Sequence, residues 1–329
     1  MDKSCTLSVI VPFHNADSTI EKCVYSIIKQ MPSCSELILI DDHSSDNSWK
    51  ICQTFSKRYA RIFVYQNEEI GVSSARNLGI SMAIGKWITF VDADDYIYQN
   101  YFSSIIKSVS NNCDFLLFSY DEWPKNRQDQ KLREVKLRLL HKEELYNLVF
   151  QSKTVQGYVW DKVFKKKIIE EYQLRFNPKL SMNEDLVFCF EYMLHAKSVW
   201  FLDKRLYCYV KHGTGATSGQ LTNEATMVKK SFTYMRQLQT ICYSLSDRYM
   251  TVAYTYMNFF LLKKVINKGY DNLDSVKDLQ SNIDKIRWNY FGDFNIEVKC
   301  LFILYHLIPR RAQLGIYVLL KHFRKKSHN

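Results

Sequence analysis

Short apolar runs alternate with amphipathic helical patterns over the first hundred residues, and this alternation constrains the fold more than any other feature. The runs are continuous and rich in β-branched residues, which predicts buried strands at 7–11, 37–40, 62–65 and 87–91. Between the first two strands, apolar residues recur at helical spacing over 20–28. A chain that repeats strand and helix in this order favours a mainly parallel sheet flanked by helices, an α/β fold.

Composition narrows the class of protein further. Hydrophobic residues make up 47% of the 329, enough for a packed core, and no run reaches the roughly 18 apolar residues of a spanning helix. The nine cysteines never form a C-x-x-C pair, which predicts reduced thiols and no zinc site. The N-terminal apolar run is too short for a secretory signal, so we expect a cytoplasmic protein.

The rest of the chain predicts a change of character near residue 218. The patterns up to that point predict a strand at 113–120, helices at 158–169 and 186–195, and strands at 198–202 and 206–210. Beyond residue 223 only long helical patterns follow, for example at 249–266. We therefore expect two domains, an α/β domain over 1–218 and a helical C-terminal region over 219–329.

Polar residues gather where the predicted strands end. Ligands bind at the carboxyl ends of strands in such sheets, and the residues there are His14, Asn15, Asp41, Asp42, Asp92, Asp94 and Asp95. Two acids spaced as D-x-D suit Mg²⁺ or Mn²⁺, which prefer hard oxygen ligands. The alternative for the same D-x-D is an ordinary polar turn. Its place at the carboxyl edge of the sheet favours a functional site.

Two further segments carry charged residues with competing interpretations. Arg76 lies in a predicted helix of small residues, which would let a ligand approach closely; the alternative is a surface arginine. The G-x-G-x-x-G spacing of dinucleotide folds is absent there. Glu184 and Asp185 follow Asn183 at the start of a helical pattern, and the residues alone favour a helix cap.

Three runs of sequence together resemble the family 2 glycosyltransferases, which have a GT-A fold. They are SVIVPFHNADSTIEKCVYSIIKQ, ELILIDDHSSDNS and NEEIGVSSARNLGISMAIGKWITFVDADD, and they follow the family's order and spacing over residues 8–95. Trp160-Asp161-Lys162 and Asn183-Glu184-Asp185 resemble the later acceptor-side signatures. The likeness extends over about the first 210 residues and is weak beyond them.

The resemblance implies an inverting, metal-dependent transferase that uses a nucleotide-diphosphate sugar, with UDP the commonest nucleotide. It assigns Asp185 as general base, and Asp92 and Asp94 as ligands of Mg²⁺ or Mn²⁺. It assigns the nucleotide sugar to Pro12, His14, Asn15, Asp41, Asp42, Arg76 and Asp92, with Asp42 accepting from the base. Candidate contacts to acceptor or phosphate are Trp160, Glu184, Lys211 and His212. His14 stands where the family usually has tyrosine.

The resemblance also bears on the acceptor. The Q-x-x-R-W signature of processive synthases is absent, which favours single additions to a glycan or lipid-linked acceptor, as in bacterial surface polysaccharide synthesis. Two alternatives stay open: a non-catalytic sugar-binding or scaffold protein, and a D-x-D phosphatase, although Tyr96 differs from that class. The net charge of +11 comes with no nucleic-acid motif, so we expect no nucleic-acid partner.

Two segments later in the chain have patterns that predict a contact surface, a flap or a linker. Residues 298–329 contain no acid, and their apolar runs at 300–308 and 314–320 are flanked by basic residues. This pattern predicts a helix pair on an anionic membrane, or else packing against the core or another subunit of a homo-oligomer. The loop 211–220, KHGTGATSGQ, predicts either a mobile flap over the donor or an interdomain linker.

Overall fold

The fold is taken from a computed structural model of the full chain. The structure describes residues 6–109, 112–124, 136–151, 157–211, 221–241, 246–268, 273–284, 292 and 296–307. The chain divides into two compact units, Met1–Gly215 and Ala216–Asn329. Among the described residues, every helix is too short or too polar to cross a bilayer.

The first unit carries the sheet together with seven helices among its described residues. Its strands are β1 (Leu7–Phe13), β2 (Ser35–Asp41), β3 (Ile62–Gln66), β4 (Trp87–Phe90), β5 (Tyr96–Ile97), β6 (Phe115–Trp123), β7 (Leu137–Leu139), β8 (Lys162–Lys165) and β9 (Val199–Val210). Its helices are α1 (Ile20–Ile28), α2 (Ser48–Arg58), α3 (Val72–Met82), α4 (Tyr101–Ser108), α5 (Lys142–Gln151), α6 (Lys166–Glu171) and α7 (Glu184–His195). The described part of the second unit is helical: α8 (Leu221–Ile241), α9 (Ser246–Lys268), α10 (Leu273–Asp284) and α11 (Ile296–Leu307).

The strands form one nine-stranded sheet in the order β3-β2-β1-β4-β8-β6-β9-β5, with β7 paired to β9. Strands β1 to β4 are mutually parallel, and antiparallel pairs enter where β8 joins β4 and β6. The sheet is therefore mixed, and the predicted α/β class with a helical C-terminal part is confirmed. The carboxyl ends of β1, β2 and β4 meet at one edge, because parallel neighbours point the same way.

Strand β1 shows why the sheet is covered on both faces. Val9 and Val11 belong to the core cluster that includes the buried side of α1. Ile10 points to the opposite face and meets α3, where a Cβ on Gly79 would lie 2.4 Å from Ile10 Cγ2. Glycine at position 79 thus allows α3 to lie directly on the sheet, which positions the N-terminus of that helix at the strand ends.

Two predictions for the first unit differ from the structure, one in the type of element and one in its continuity. The helix predicted over 158–169 is instead strand β8 followed by α6, because the strand fills the gap between β4 and β6, where Val163 and Phe164 are buried. The two short strands predicted over 198–210 are one strand, β9, and the pairing of β6 with β9 shifts register on either side of Ser119. In the first case strand pairing overrides the local pattern; in the second it joins two predicted strands into one.

Candidate active site

The loops after β1 and β2 are tied together by hydrogen bonds. The backbone N–H of Asn15 donates to Ser44 Oγ at 3.0 Å, and the N–H of Ser45 donates to Asn15 Oδ1 at 2.8 Å. His14 Nδ1 lies 2.6 Å from the carbonyl oxygen of Asp42, so this nitrogen carries the hydrogen and donates it. Nε2 then accepts from the Asn15 side-chain amide at 3.1 Å. The exposed imidazole is thereby held in one orientation at the edge of the sheet.

Asp42 connects this edge to the start of α3. Its Oδ1 accepts from Asn67 Nδ2 at 3.0 Å and from the backbone N–H of Gly71 at 2.8 Å; the latter also lies 3.1 Å from Oδ2. Gly71 precedes α3 with φ +126°, a conformation that side chains strongly disfavour. Asp41 is buried and accepts from the N–H of Ser44 at 3.1 Å. Asp41 therefore braces the loop, whereas Asp42 lies closer to the surface.

Arg76 gathers three carboxylates that are far apart in sequence. Its Nη1 lies 2.6 Å from Asp185 Oδ1 and 3.0 Å from Glu184 Oε1, and its Nη2 lies 3.4 Å from Asp92 Oδ1. The guanidinium also packs over the ring of Phe176 at 5.4 Å. Only 4% of Arg76 is exposed, so the interpretation as a surface arginine is wrong. One side chain thus joins α3, the turn after β4 and the first turn of α7.

The charges of this cluster perturb one another. Burial raises the pKa of Asp185 to about 8, with Glu184 and Asp92 adding to the rise and Arg76 opposing it. Burial likewise raises the pKa of Asp92, again against the pull of Arg76. Burial alone would lower the pKa of Arg76, but the three carboxylates outweigh it and the pKa is raised. Arg76 therefore stays charged while the acids hold protons more readily than usual.

The start of α7 is not capped as the sequence predicted. Asn183 occupies the N-cap position with φ 63° and makes no side-chain hydrogen bond to the helix terminus. Glu184 and Asp185 lie in the first turn and pair with Arg76. The helix-cap interpretation is therefore wrong, because the nearby guanidinium offers these carboxylates a stronger, charge-assisted partner.

The D-x-D turn after β4 is anchored by its third acid. Asp95 is buried and accepts from the Tyr207 hydroxyl at 2.6 Å and from the backbone N–H of Val210 at 2.7 Å. The same hydroxyl oxygen accepts from the N–H of Asp92 at 3.0 Å. Burial, and then the charge of Asp92, raise the pKa of Asp95 to about 8. Strand β9 thus holds the turn in place, while Asp94 is exposed.

The residues of the turn fit a divalent cation that is shared with a substrate. Within the described ranges, no three His, Cys, Asp or Glu side chains gather as a ready-made metal cage. Mg²⁺ rarely uses such a cage; it keeps several waters and binds through one or two carboxylates plus substrate phosphates. Asp92, with 29% of its side chain exposed, and exposed Asp94 are two carboxylates of this kind.

The remaining predicted site residues lie in different settings. Pro12 is buried within β1, paired in register with Ile40 of β2. Trp160 is buried, with 2% exposed, among aromatic rings. Lys211 is exposed, and its Nζ lies 2.5 Å from Glu122 Oε2. His212 and the rest of the loop up to 220 lie outside the described residues.

Several residues that shape the site escaped the sequence analysis. Gly71 lies inside one of the family-like runs, and its place between a strand and a helix was the available signal. Asn67 opens the same family-like run, whereas Tyr207 carries no signal of its own, because its role arises from Asp95, which is reached only through the fold.

Comparison of the sequence with known proteins finds a matching family and several relatives. The family described as "Glycosyl transferase family 2" matches residues 8–173, about half of the chain. The glycosyltransferase EpsJ of Bacillus subtilis is 31% identical over 215 residues, which cover 64% of this chain and 62% of EpsJ. The poly(ribitol-phosphate) beta-glucosyltransferase of Bacillus spizizenii is 28% identical over 59% of this chain and 30% of its own length. The chain thus spans less than two thirds of both relatives.

Solved structures share the fold. Staphylococcus aureus TarS 1–349, crystallised with UDP-GlcNAc, aligns with a TM-score of 0.70 at 18% identity, covering 98% of this chain and 92% of that one. The Pyrobaculum calidifontis mannosyltransferase PcManGT, solved with GDP-Man and Mn²⁺, aligns with a TM-score of 0.54 at 14% identity, covering 92% and 86%. At these identities the likeness establishes the GT-A fold alone.

Proposed function

The chain belongs to glycosyltransferase family 2, and from that membership we propose that it is an inverting glycosyltransferase. It would move a sugar from a nucleotide-diphosphate donor to a hydroxyl of an acceptor. One observation carries the proposal: Arg76 binds both Asp92 of the D-x-D turn and Asp185 of α7. A donor-side carboxylate and a candidate base therefore lie within the span of one guanidinium, as a single displacement across an anomeric carbon requires.

Asp185 is the proposed general base. In an inverting displacement one group removes the proton of the acceptor hydroxyl as its oxygen attacks the anomeric carbon. Burial raises the pKa of Asp185 to about 8, so its carboxylate, once ionised, is a stronger proton acceptor than that of an ordinary aspartate. Arg76, 2.6 Å away, fixes the orientation of the carboxylate. Glu184 shares the same guanidinium and would position Arg76 rather than accept the proton.

Asp92 and Asp94 are the proposed ligands of Mg²⁺ or Mn²⁺. Their fit rests on the two carboxylates of the turn, and the Mn²⁺ present with PcManGT supports a divalent ion in this fold. When bound, the ion would neutralise charge on the departing diphosphate. Asp95 and Tyr207 do not take part; they hold the turn so that Asp92 and Asp94 stay at the sheet edge.

The nucleoside is proposed to lie on the loops after β1 and β2. The oriented imidazole of His14 offers a flat face for the base, and Asp42 offers a carboxylate to a ring N–H. Asn15, Asp41 and Pro12 would act by shaping these loops. The UDP-GlcNAc bound to TarS supports a uridine nucleotide. Arg76, at the same edge of the sheet, would add a donor to the base or the phosphate.

The two units would divide the work. Residues 1–218 would be the catalytic domain, and 219–329 a helical region whose basic tail holds the enzyme on the inner face of the cell membrane. The acid-free segment 298–329 supports this, although 308–329 lie outside the described residues. The acceptor would be a glycan or lipid-linked precursor of a bacterial surface polymer, and the poly(ribitol-phosphate) transferase relative supports that setting.

The function is tested by donor binding and transfer. Nucleotide sugars are screened for Mg²⁺- or Mn²⁺-dependent stabilisation against heat, because a ligand raises the unfolding temperature of the state it binds. The stabilising donor is then incubated with glycan acceptors, and the anomeric configuration of the product is read by NMR. Inversion is expected, and a product with retained configuration would contradict the mechanism. A protein that no nucleotide sugar stabilises would contradict the function.

The base is tested by Asp185→Asn. The substitution should lower kcat by about 10²–10⁴-fold while donor affinity stays similar, because only the proton acceptor is lost. Glu191→Gln makes the same chemical change on the same helix, outside the Arg76 cluster, and should leave kcat near the wild-type value. Equal activity of Asp185→Asn and wild type would remove Asp185 as the base.

Membrane attachment is tested by sedimentation with vesicles. The intact chain should co-sediment with vesicles containing phosphatidylglycerol at low salt and not with phosphatidylcholine alone, since each basic residue adds about 1 kcal/mol at an anionic surface. Deleting 298–329 should abolish co-sedimentation and spare donor binding. An intact chain that stays in the supernatant would assign the tail to packing or to subunit contact.

A further inference from the structure

Four aromatic rings form a stack inside the first unit that the reaction described above does not use. The indole of Trp160 lies nearly parallel to three tyrosine rings: Tyr158 at 4.8 Å and 14°, Tyr207 at 4.6 Å and 11°, and Tyr209 at 5.7 Å and 7°. Trp160 and Tyr207 are fully enclosed, whereas 36% of Tyr158 is exposed and Tyr209 is partly exposed. The stack therefore begins in the core and reaches the surface at Tyr158.

One end of the stack is fixed to the helix that bears Asp185. Gly157 packs so tightly on the first turns of α7 that a Cβ there would lie 2.4 Å from Leu186 Cδ1. One turn further along, Cys189 Sγ donates to the carbonyl oxygen of Tyr158 at 3.5 Å. Tyr158 consequently lies beside the first turn of α7, where Asp185 points to Arg76.

The other end is fixed to the D-x-D turn. The Tyr207 hydroxyl donates to Asp95 at 2.6 Å and accepts from the N–H of Asp92 at 3.0 Å. Tyr209 follows two residues later on β9, on the same face of the strand as Tyr207. The aromatic stack is thus held by both halves of the proposed active site, the turn proposed to bind metal and the helix that carries the proposed base.

The charged groups that raise the pKa values of the two exposed tyrosines are acidic. Burial raises the pKa of Tyr158, and nearby Asp185 and Glu122 raise it further. Burial also raises the pKa of Tyr209, with the acids of the D-x-D turn adding to the rise. Both phenols therefore stay neutral at any physiological pH. A ligand at this surface meets flat apolar rings bordered by carboxylates, which disfavours an anion.

We propose that Tyr158 and Tyr209 form the acceptor platform, on which an uncharged pyranose ring of the acceptor stacks. This inference rests on the proposed function. One face of a pyranose is a sheet of C–H groups, which is apolar and carries slight positive charge, and it complements the negative face of an aromatic ring. A sugar lying on Tyr158 is next to Asp185, where its hydroxyl would lose a proton. The sequence predicted an acceptor contact at Trp160. We assign that contact instead to Tyr158 and Tyr209, whose rings stack on Trp160.

The same surroundings argue against an open-chain, phosphate-bearing acceptor. A polyol has no rigid flat face to cover an aromatic ring, so it would bury less apolar area on stacking. Its phosphates would also approach the carboxylates of Glu122 and Asp185, whose cationic partners Lys211 and Arg76 are already engaged in salt bridges. The platform therefore predicts a ring-bearing, neutral acceptor terminus for this chain.

The test measures binding of simple glycosides to the full chain in the presence of UDP and Mg²⁺. Saturation-transfer NMR is recorded with methyl glycosides of β-glucose, β-galactose, α-mannose and β-N-acetylglucosamine, and with ribitol 5-phosphate as the open-chain anion. At least one pyranoside should receive saturation at its ring C–H protons, and ribitol 5-phosphate should not. Binding of ribitol 5-phosphate alone, or of no glycoside, would overturn the proposal.

Variants assign the binding to the platform. Tyr158→Leu keeps apolar volume but removes the flat ring, and it should weaken pyranoside binding by about tenfold or more, which corresponds to ~1.4 kcal/mol. Tyr158→Phe keeps the ring and should bind like wild type. Tyr172→Leu is the matched control: Tyr172 is 44% exposed and stacks on His195 at 3.7 Å, away from the Trp160 stack. This control variant should bind the pyranoside as wild type does.

The outcomes distinguish a failure of the acceptor platform from a failure of the proposed function. UDP affinity, measured by calorimetry on each variant, should stay at the wild-type value. If Tyr158→Leu weakens UDP as much as the pyranoside, the ring belongs to the donor site and the proposal is overturned. If Tyr158→Leu binds the pyranoside as wild type does, the stack is only core packing. If the wild type fails to bind any nucleotide, the proposed function fails and the platform falls with it.

Discussion

Replacing Gly71 with alanine tests how the backbone before α3 supports the donor site. Gly71 has φ +126°, and a Cβ built there meets no atom within 4 Å. The substitution therefore adds no steric clash, only backbone strain. The same residue donates its N–H to Asp42 at 2.8 Å, the carboxylate proposed to read the nucleobase. Strain at Gly71 is thus coupled directly to Asp42.

The magnitude follows from two terms of opposite sign. Holding a non-glycine residue in a glycine-only conformation costs about 1–3 kcal/mol. Alanine also reduces the freedom of the unfolded chain, which returns about 0.4–1 kcal/mol. If the loop relaxes instead, it loses a hydrogen bond to a charged group, worth about 1.5–3 kcal/mol. The strain and the unfolded-chain effect together set the folding stability, which should fall by about 1–2 kcal/mol. Donor affinity falls through the relaxed loop, because the bound state needs the original loop and restoring it costs at most the strain of about 1–3 kcal/mol, so affinity should fall about tenfold.

Titration calorimetry with UDP and Mg²⁺ measures the effect, and Gly292→Ala is the matched control. A Cβ on Gly292 also meets nothing within 4 Å, and its φ lies outside the left-handed region. The control variant should bind UDP as wild type does, while Gly71→Ala binds about tenfold more weakly. Equal UDP affinity of the two variants would refute the argument that strain at Gly71 is transmitted to Asp42.

Three further predictions follow from the same structure. Asp94→Asn should abolish the Mg²⁺ or Mn²⁺ dependence of nucleotide binding. The loss of stability should be small, because Asp94 is exposed. Calorimetry that finds the metal-dependent nucleotide affinity unchanged would contradict this prediction. Transfer should increase as pH rises through about 8, since Asp185 must lose its proton to act as a base. The free energy of unfolding should decrease as pH rises from about 4 to about 8 and then level off, because the folded state holds that proton more tightly than the unfolded chain does. A flat profile of kcat against pH would argue against Asp185. Gly79→Ala should destabilise the first unit by about 1–3 kcal/mol through its clash with Ile10, as measured by urea unfolding, and an unchanged midpoint would mean that α3 can shift off the sheet.

The part of the fold that follows from local pattern was predictable from sequence. Strands β1 to β4 are short apolar runs between amphipathic helices, and each was expected within a few residues of its place. The gathering of His14, Asp42 and Asp92 at one sheet edge followed from the parallel rule alone. In these elements, periodicity, burial and connection length all favour the same structure.

The elements that were missed depend on distant partners. Strand β8 is short and charged at both ends, so its sequence resembles a helix until β4 and β6 are placed on either side of it. The Tyr207 hydroxyl and Asp95 are 112 residues apart, and no local signal connects them. Such contacts lower the free energy only after the sheet has formed, so a pattern read along the chain carries no trace of them.

Arg76 also determines the charge balance of the candidate site. One guanidinium faces three carboxylates, from Asp92, Glu184 and Asp185, so the cluster is anionic whenever those acids are ionised. A donor diphosphate is also anionic, and bringing it to this edge without further positive charge would be costly. Arg76 can offset one charge, and its pKa, raised by the carboxylates, keeps it protonated. The charge balance of the proposed complex therefore calls for a second cation beside Asp92, which is where Asp94 adds an exposed carboxylate to receive it.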